Sequence, residues 1–140
     1  MTTLFAQSHV ATAAPFAPST TSRARTVALW ATQIVVAGMF LFSGGLKLAG
    51  VPDMVGLFEA IGIGQWFRYL TGSIELVAAV LLLTPRLALF GALLAIPTMI
   101  GAVVTHVFIV GGSPIPAIVL LAGSSAIAWV RRHQLTERKA

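Results

Sequence analysis

The sequence contains no cysteine. That excludes disulfides, thiolate metal sites, iron–sulfur clusters and dithiol exchange on this chain. Any redox role then needs a bound cofactor or a partner subunit. Charge is nearly as scarce: Asp, Glu, Lys and Arg make up 9% of the 140 residues, and only four of these are acidic. An ordinary soluble domain carries about 25%, so this chain cannot cover a water-facing surface. Hydrophobic residues reach 57% instead, which points to a membrane protein of one domain. The net charge is +5, but the basic residues gather toward the two ends of the chain. That distribution suits a membrane surface and argues against nucleic acid as a partner. Internal repeats, phosphate-binding loops and metal-ligand motifs are also missing. The one Gly-x-Gly, Gly62 to Gly64, precedes an aromatic run and does not join a strand to a helix.

What the chain does have is apolar segments of membrane length. About 20 residues cross a hydrocarbon core, and the expected spans are 26–48, 69–83, 86–110 and 115–130. Arg23 and Arg25 flank the first, with Trp30 at the level of an interfacial aromatic belt. Thr84 and Pro85 suit the start of the third, closing a tight hairpin with the second. Ser113 and Pro114 do the same for the fourth. The third is longer than the core needs, so it should tilt or bend, with Pro97 as the bend.

Between the first two spans, Met54, Leu57, Phe58 and Ile61 recur at helical spacing. This predicts a short amphipathic helix over Pro52–Ile61, lying in the interface and stopped by Gly62 and Gly64. The expected fold is therefore an all-α membrane protein: a four-transmembrane-helix bundle with a short amphipathic interfacial helix between spans one and two. Residues 1–25 read as a flexible cytoplasmic arm, with no basic residue before Arg23 and no long apolar run to make a secretory leader. Residues 131–140 read as a basic cytoplasmic tail. With the N-terminus inside, Arg23, Arg25, Arg86, Arg131, Arg132, Arg138 and Lys139 lie inside, and only Lys47 and Arg68 outside. The excess of Lys and Arg predicts an inner (plasma) membrane protein with both termini cytoplasmic.

Three ionisable residues fall within spans: Lys47, Glu75 and His106. A charge at depth costs at least about 2.5 kcal/mol on insertion scales, so such groups face the protein interior and find partners. At about 1.5 Å per residue all three lie within roughly 9 Å of the same boundary. Their neighbours one helical turn away are small: Ser43 and Gly44 beside Lys47, Gly72, Ala78 and Ala79 beside Glu75, Ala102 beside His106. The third span carries a small-residue stripe through Gly91, Ala95, Thr98, Ala102 and Thr105. Each polar residue has a plain structural alternative. Lys47 can snorkel to the headgroups, Glu75 can form a structural ion pair, and His106 can be a packing histidine. Trp66, Phe67 and Tyr69 can be interfacial anchors, and Gln33 an interhelical hydrogen-bonding group.

The stretches "FLFSGGLKLAG", "WFRYLTGSIELVAAVLLLTP" and "MIGAVVTHVFI" together resemble the DoxX-like family of small four-span membrane proteins. The resemblance rests on Gly44, Lys47, Leu48 and Gly50, on Gly72 and Glu75, and on the late His106, each in its expected span. It covers about residues 26–130. One branch of that family looks like the small membrane subunit of a thiosulfate:quinone oxidoreductase, and others accompany membrane oxidoreductase complexes. Distant relatives assist membrane-protein assembly. The resemblance implies a subunit or accessory factor of a quinone-linked membrane redox system. Glu75 and His106 are then the catalytic candidates for proton exchange, and a quinone is the candidate cofactor. Lys47, Arg68, Trp66 and Tyr69 are the binding candidates. A non-catalytic assembly or scaffold protein stays open as the alternative, and a small transporter ranks below it, because Glu75 lies away from the midplane where transport sites sit. The partners expected are the lipid bilayer and another membrane protein or redox enzyme subunit, with a homo-oligomer also open.

Overall fold

The computed structural model describes residues 20–132. Among them the chain forms five α-helices and one π-helical turn: α1 (Thr20–Ala49), α2 (Pro52–Ile61), α3 (Gln65–Leu83), α4 (Ala88–Thr105), the π turn His106–Val110, and α5 (Ile115–Arg131). Strands are absent among the described residues. Helices α1, α3 and α4, the last together with the π turn, are long and apolar enough to cross a membrane. Helix α5 is also apolar, and its 17 residues match the lower end of the spanning range. Large apolar side chains point outward along the bundle, including Phe42, Phe108, Val27 and Trp129. In water that surface would drive aggregation, whereas in lipid it is the expected exterior. This is an all-α membrane protein.

The four long helices form a closed antiparallel ring in which α1 packs on α3, α3 on α4, α4 on α5, and α5 returns to α1. The core is built largely from small residues: Ala37, Ala78, Ala79, Ala92, Ala95 and Ala117, with Phe40, Leu82, Met99 and Ile127 filling the remaining space. Small faces let backbones approach, which is how helices gain packing energy where no hydrophobic effect separates them from lipid. Gly91 shows how close this approach is. A Cβ there would lie 2.7 Å from Leu82 N and 2.8 Å from Ala78 O. Gly91→Ala should therefore cost about 1–3 kcal/mol, read as a lower melting temperature of the purified protein in detergent. An unchanged melting temperature would mean that α3 and α4 do not pack this tightly.

Helix bounds differ from the sequence reading in physically clear ways. Residues 1–19 and 133–140, where the flexible arm and most of the basic tail were expected, lie outside the described residues. Thr20 to Arg25 are helical, so Arg23 and Arg25 ride on α1 instead of preceding it. Helix α3 begins at Gln65, just after Gly64 at φ 105°, because nothing after that glycine breaks a helix. The aromatic cluster therefore belongs to the first turns of α3. Thr84 does not cap α4. Its hydroxyl donates back to Val80 O at 2.9 Å, closing α3, and α4 starts only at Ala88. Ser113 accepts weakly from Ile115 N–H at 3.4 Å, while Pro114 holds the N-cap position. The amphipathic helix α2 spans Pro52–Ile61, with Pro52 opening it and Gly62, at φ 78°, closing it in the left-handed conformation that suits glycine at helix ends.

At the end of the bundle where α1 and α4 begin, Gln33 is fully buried. Its amide donates to Leu82 O at 2.7 Å and accepts from Arg131 Nη2 at 2.8 Å. One side chain thus ties α1, α3 and α5 together.

A polar pocket beneath the amphipathic helix

At the other end α1 and α3 cross on two glycines. A Cβ on Gly44 would lie 2.9 Å from Gly72 O, and one on Gly72 would lie 3.0 Å from Lys47 Cβ and 3.2 Å from Gly44 O. This contact brings the next turn of each helix into register. Lys47 Nζ donates to both Glu75 oxygens at 2.7 Å and to Ser43 Oγ at 2.7 Å. The carboxylate side chain is 3% exposed and the ammonium side chain 13%. An ammonium has three N–H groups, and all three are used, so Lys47 does not snorkel. Glu75 keeps lone pairs beyond those Lys47 occupies, and the Ser43 hydroxyl keeps its own proton.

Arg68 is buried as well, at 4% exposure. Its Nη1 donates to the Lys47 carbonyl, one of the last carbonyls of α1, which have no partner inside the helix. Its Nε donates to Gln65 Oε1 at 2.7 Å, and Gln65 Nε2 donates to Val55 O at 3.0 Å. This relay joins α1, α2 and α3. Gly50 makes room for it: the residue has φ 69°, and a Cβ would come within 3.3 Å of the guanidinium. The Gly-x-x-Lys-Leu-x-Gly element therefore has a physical reason at each named position. Gly44 permits the crossing, Lys47 makes the pair, Leu48 packs against Gly72, and Gly50 turns the chain beside Arg68.

A cavity of about 600 Å³ opens next to this pair. Ser43, Lys47, Thr71 and Glu75 line one side, and Thr98, Ala102, Thr105 and His106 another. The apolar face of α2 covers it, since Met54, Leu57, Phe58 and Ile61 all line the wall. The amphipathic pattern thus faces the cavity, while Asp53 and Glu59 are exposed. The small stripe on α4 divides in two: Gly91 and Ala95 pack within the bundle, and Thr98, Ala102 and Thr105 form pocket wall. The volume lies within the range of small-molecule sites, and the mostly apolar wall with a few polar groups matches their usual make-up.

His106 stands where the α-helix gives way to the π turn, a distortion that recurs at functional sites. Its Nδ1 lies 2.9 Å from Ala102 O. A carbonyl only accepts, so Nδ1 carries a hydrogen, and Nε2 of the neutral ring is an acceptor. No hydrogen bond joins His106 to Glu75 or Lys47; they share the cavity without touching. Trp66 and Tyr69 stand outside the cavity wall. Trp66 is 61% exposed, donates to Ile63 O at 3.0 Å and meets Phe67 edge-on at 5.8 Å. The Tyr69 ring carries the Arg68 guanidinium at 4.3 Å. Arg68 itself supports the Lys47 turn from behind and does not line the cavity. Sequence reasoning missed Gln65, although its spacing of three residues from Arg68 on one helix face was a usable signal.

No curated protein and no solved structure matches the chain at a significant level. The model of the DoxX-like family matches residues 31–131, a region that contains the crossing glycines, the Lys47–Glu75 pair, the covering helix and His106. On that match the chain belongs to the DoxX-like family.

Proposed function

We propose that this protein binds the head of a small lipophilic molecule, such as a quinone, in the pocket beneath α2. On this reading it serves as a subunit or accessory factor of a membrane redox system. The observation that carries the reading is one cavity of about 600 Å³ with apolar walls and with Lys47, Glu75 and His106 on its lining. The excess of Lys and Arg at the other end supports a plasma (inner) membrane location with both termini cytoplasmic and the pocket in the outer leaflet.

The residues present fit a quinone. The α2 face and α4 offer apolar surface for a ring and its first tail units. Ser43 and a protonated His106 can donate to ring oxygens, and Glu75 and neutral His106 can accept from hydroxyls. A quinone bound there supplies two-electron, two-proton chemistry. The chain's own part is to hold the head and exchange protons at Glu75 and at His106 Nε2, while electrons pass to or from the partner enzyme. Lys47 pairs with Glu75 at a depth where an unpaired charge is costly. Helix α2, held by Arg68 and Gln65, covers one side of the site.

The test is saturable binding of a short-tailed quinone to the full chain in lipid nanodiscs, read by calorimetry. Wild type should bind, and Glu75→Gln and His106→Ala should each weaken binding at least about tenfold, the scale of one hydrogen bond to a charged group. His106→Ala should keep the wild-type melting temperature. Absence of saturable binding by wild type would sink the reading. A specific observation favours a second reading, a non-catalytic assembly protein: every Lys47 N–H is spent inside the molecule, as a clasp would require. Identification of the proteins that co-purify separates the two. A redox enzyme supports the first, and a non-redox membrane client supports the second.

A further inference from the structure

The end of the bundle far from the pocket carries a charge distribution that the proposed redox site does not use. The described acids, Asp53, Glu59 and Glu75, all stand at the pocket end, on α2 or beside it. The opposite end holds Arg23, Arg25, Arg86, Arg131 and Arg132. Arg131 is committed internally, to Gln33 Oε1 and to Pro85 O. Arg25 and Arg132 are not so committed. Both are exposed, and both line a groove of about 750 Å³ between α1 and α5.

The groove has the form of an amphiphile site. Its apolar lining includes Leu29, Ile127 and Val130. Thr32 lines it too, but its hydroxyl donates to Ala28 O at 2.9 Å and so is satisfied within α1. The groove is lined by two arginines and, among the described residues, by no carboxylate. The Arg132 guanidinium lies over the Trp129 ring, 4.3 Å from its centroid. Stacking occupies the face of the guanidinium and leaves its edge N–H groups to bind a phosphate. A basic mouth above an apolar groove on the side of a helical membrane protein matches a lipid with a negative head and an acyl tail.

We infer that the α1–α5 groove binds an anionic phospholipid, with its phosphate between Arg25 and Arg132 and an acyl chain along Leu29 and Ile127. The site is independent of the pocket beneath α2, and its occupant ties the two helices that pack least extensively around the ring.

The test uses the full chain in detergent. Native mass spectrometry would compare retention of phosphatidylglycerol and phosphatidylcholine at equal concentration, with inorganic phosphate as a separate arm read by thermal melting. Wild type should retain phosphatidylglycerol well above phosphatidylcholine. Arg25→Gln with Arg132→Gln should cut that preference by roughly 30-fold, the factor expected for two arginines at an anionic surface. The control pair Arg23→Gln with Arg86→Gln removes equal charge and should leave most of the preference. Both test side chains are exposed, so the Arg25/Arg132 variant should melt normally in phosphatidylcholine. Equal loss in the control pair would overturn the site in favour of diffuse charge. Equal retention of both lipids would overturn the role of the head group. Full stabilisation by inorganic phosphate, with nothing added by the lipid, would reveal a free-anion site instead. A shift in oligomeric state without a change in lipid retention would assign the groove to a second copy of the chain.

Discussion

Replacing Lys47 with methionine is expected to lower stability by about 3–5 kcal/mol. The side chain is similar in length and fits the same path, so the loss is electrostatic. Glu75, at 3% exposure, would be left buried without its cationic partner. A buried pair is weak evidence of net stability when intact, but breaking one partner leaves a desolvated charge uncompensated. The double variant Lys47→Met with Glu75→Leu should recover most of the loss, because both charges then leave together. The exchange Lys47→Glu with Glu75→Lys should likewise be more stable than either single change. These values can be read from unfolding of the purified protein in detergent. If the exchanged pair is no more stable than the single variants, Lys47 and Glu75 are not coupled and the clasp idea fails. The two outcomes also bear on function. A protein that tolerates the apolar pair in its fold, yet loses ligand binding, keeps these charges for the ligand.

The second large effect is expected at the helix crossing. Gly44→Val should cost about 2–3 kcal/mol, the usual price of overpacking. Its Cβ would meet the Gly72 carbonyl at 2.9 Å and Glu75 Cβ at 3.2 Å. A carbonyl inside a helix cannot rotate aside, so α1 and α3 must separate. That movement also lengthens the Lys47–Glu75 contact and should weaken any ligand held by the pocket. Gly45 and Gly38 provide the contrast. A Cβ at either meets nothing within 4 Å. Gly45→Ala and Gly38→Ala should then stabilise the protein by about 0.5–1 kcal/mol through helix propensity alone. Three glycines of one helix thus carry substitutions of opposite sign, two of them adjacent. Equal melting temperatures for Gly44→Val and Gly45→Ala would show that the crossing is not closed.

Much of the architecture was legible because membranes impose simple rules. Segment length and scarcity of charge marked the long helices. The recurrence of Met54, Leu57, Phe58 and Ile61 marked α2, with Pro52 and Gly62 as its ends. Helix starts were less legible. Thr84 and Pro85 read as the beginning of a helix, but the Thr84 hydroxyl is satisfied by α3 behind it. Ser and Thr side chains bond to backbone on either side, and sequence alone does not choose between them. The π turn at His106, which packs against α2, left no signal of its own.

The sequence by itself determined that this is a small α-helical membrane protein, because 9% charge cannot coat a soluble surface. It also determined that Lys47, Glu75 and His106 stand at similar depth, because helix rise converts position into height. Direction around each helix axis was left open. Only the tertiary structure decided that Gly44 meets Gly72, that Lys47 spends all its hydrogens on Ser43 and Glu75, and that Arg68 holds the α1 carbonyl. It alone turned the apolar face of α2 over a cavity and set Trp66 and Tyr69 outside that cavity. The physical reason is that height follows from counting residues along one helix, whereas a site needs the rotation and approach of several. Those are set by which small residues let two backbones touch.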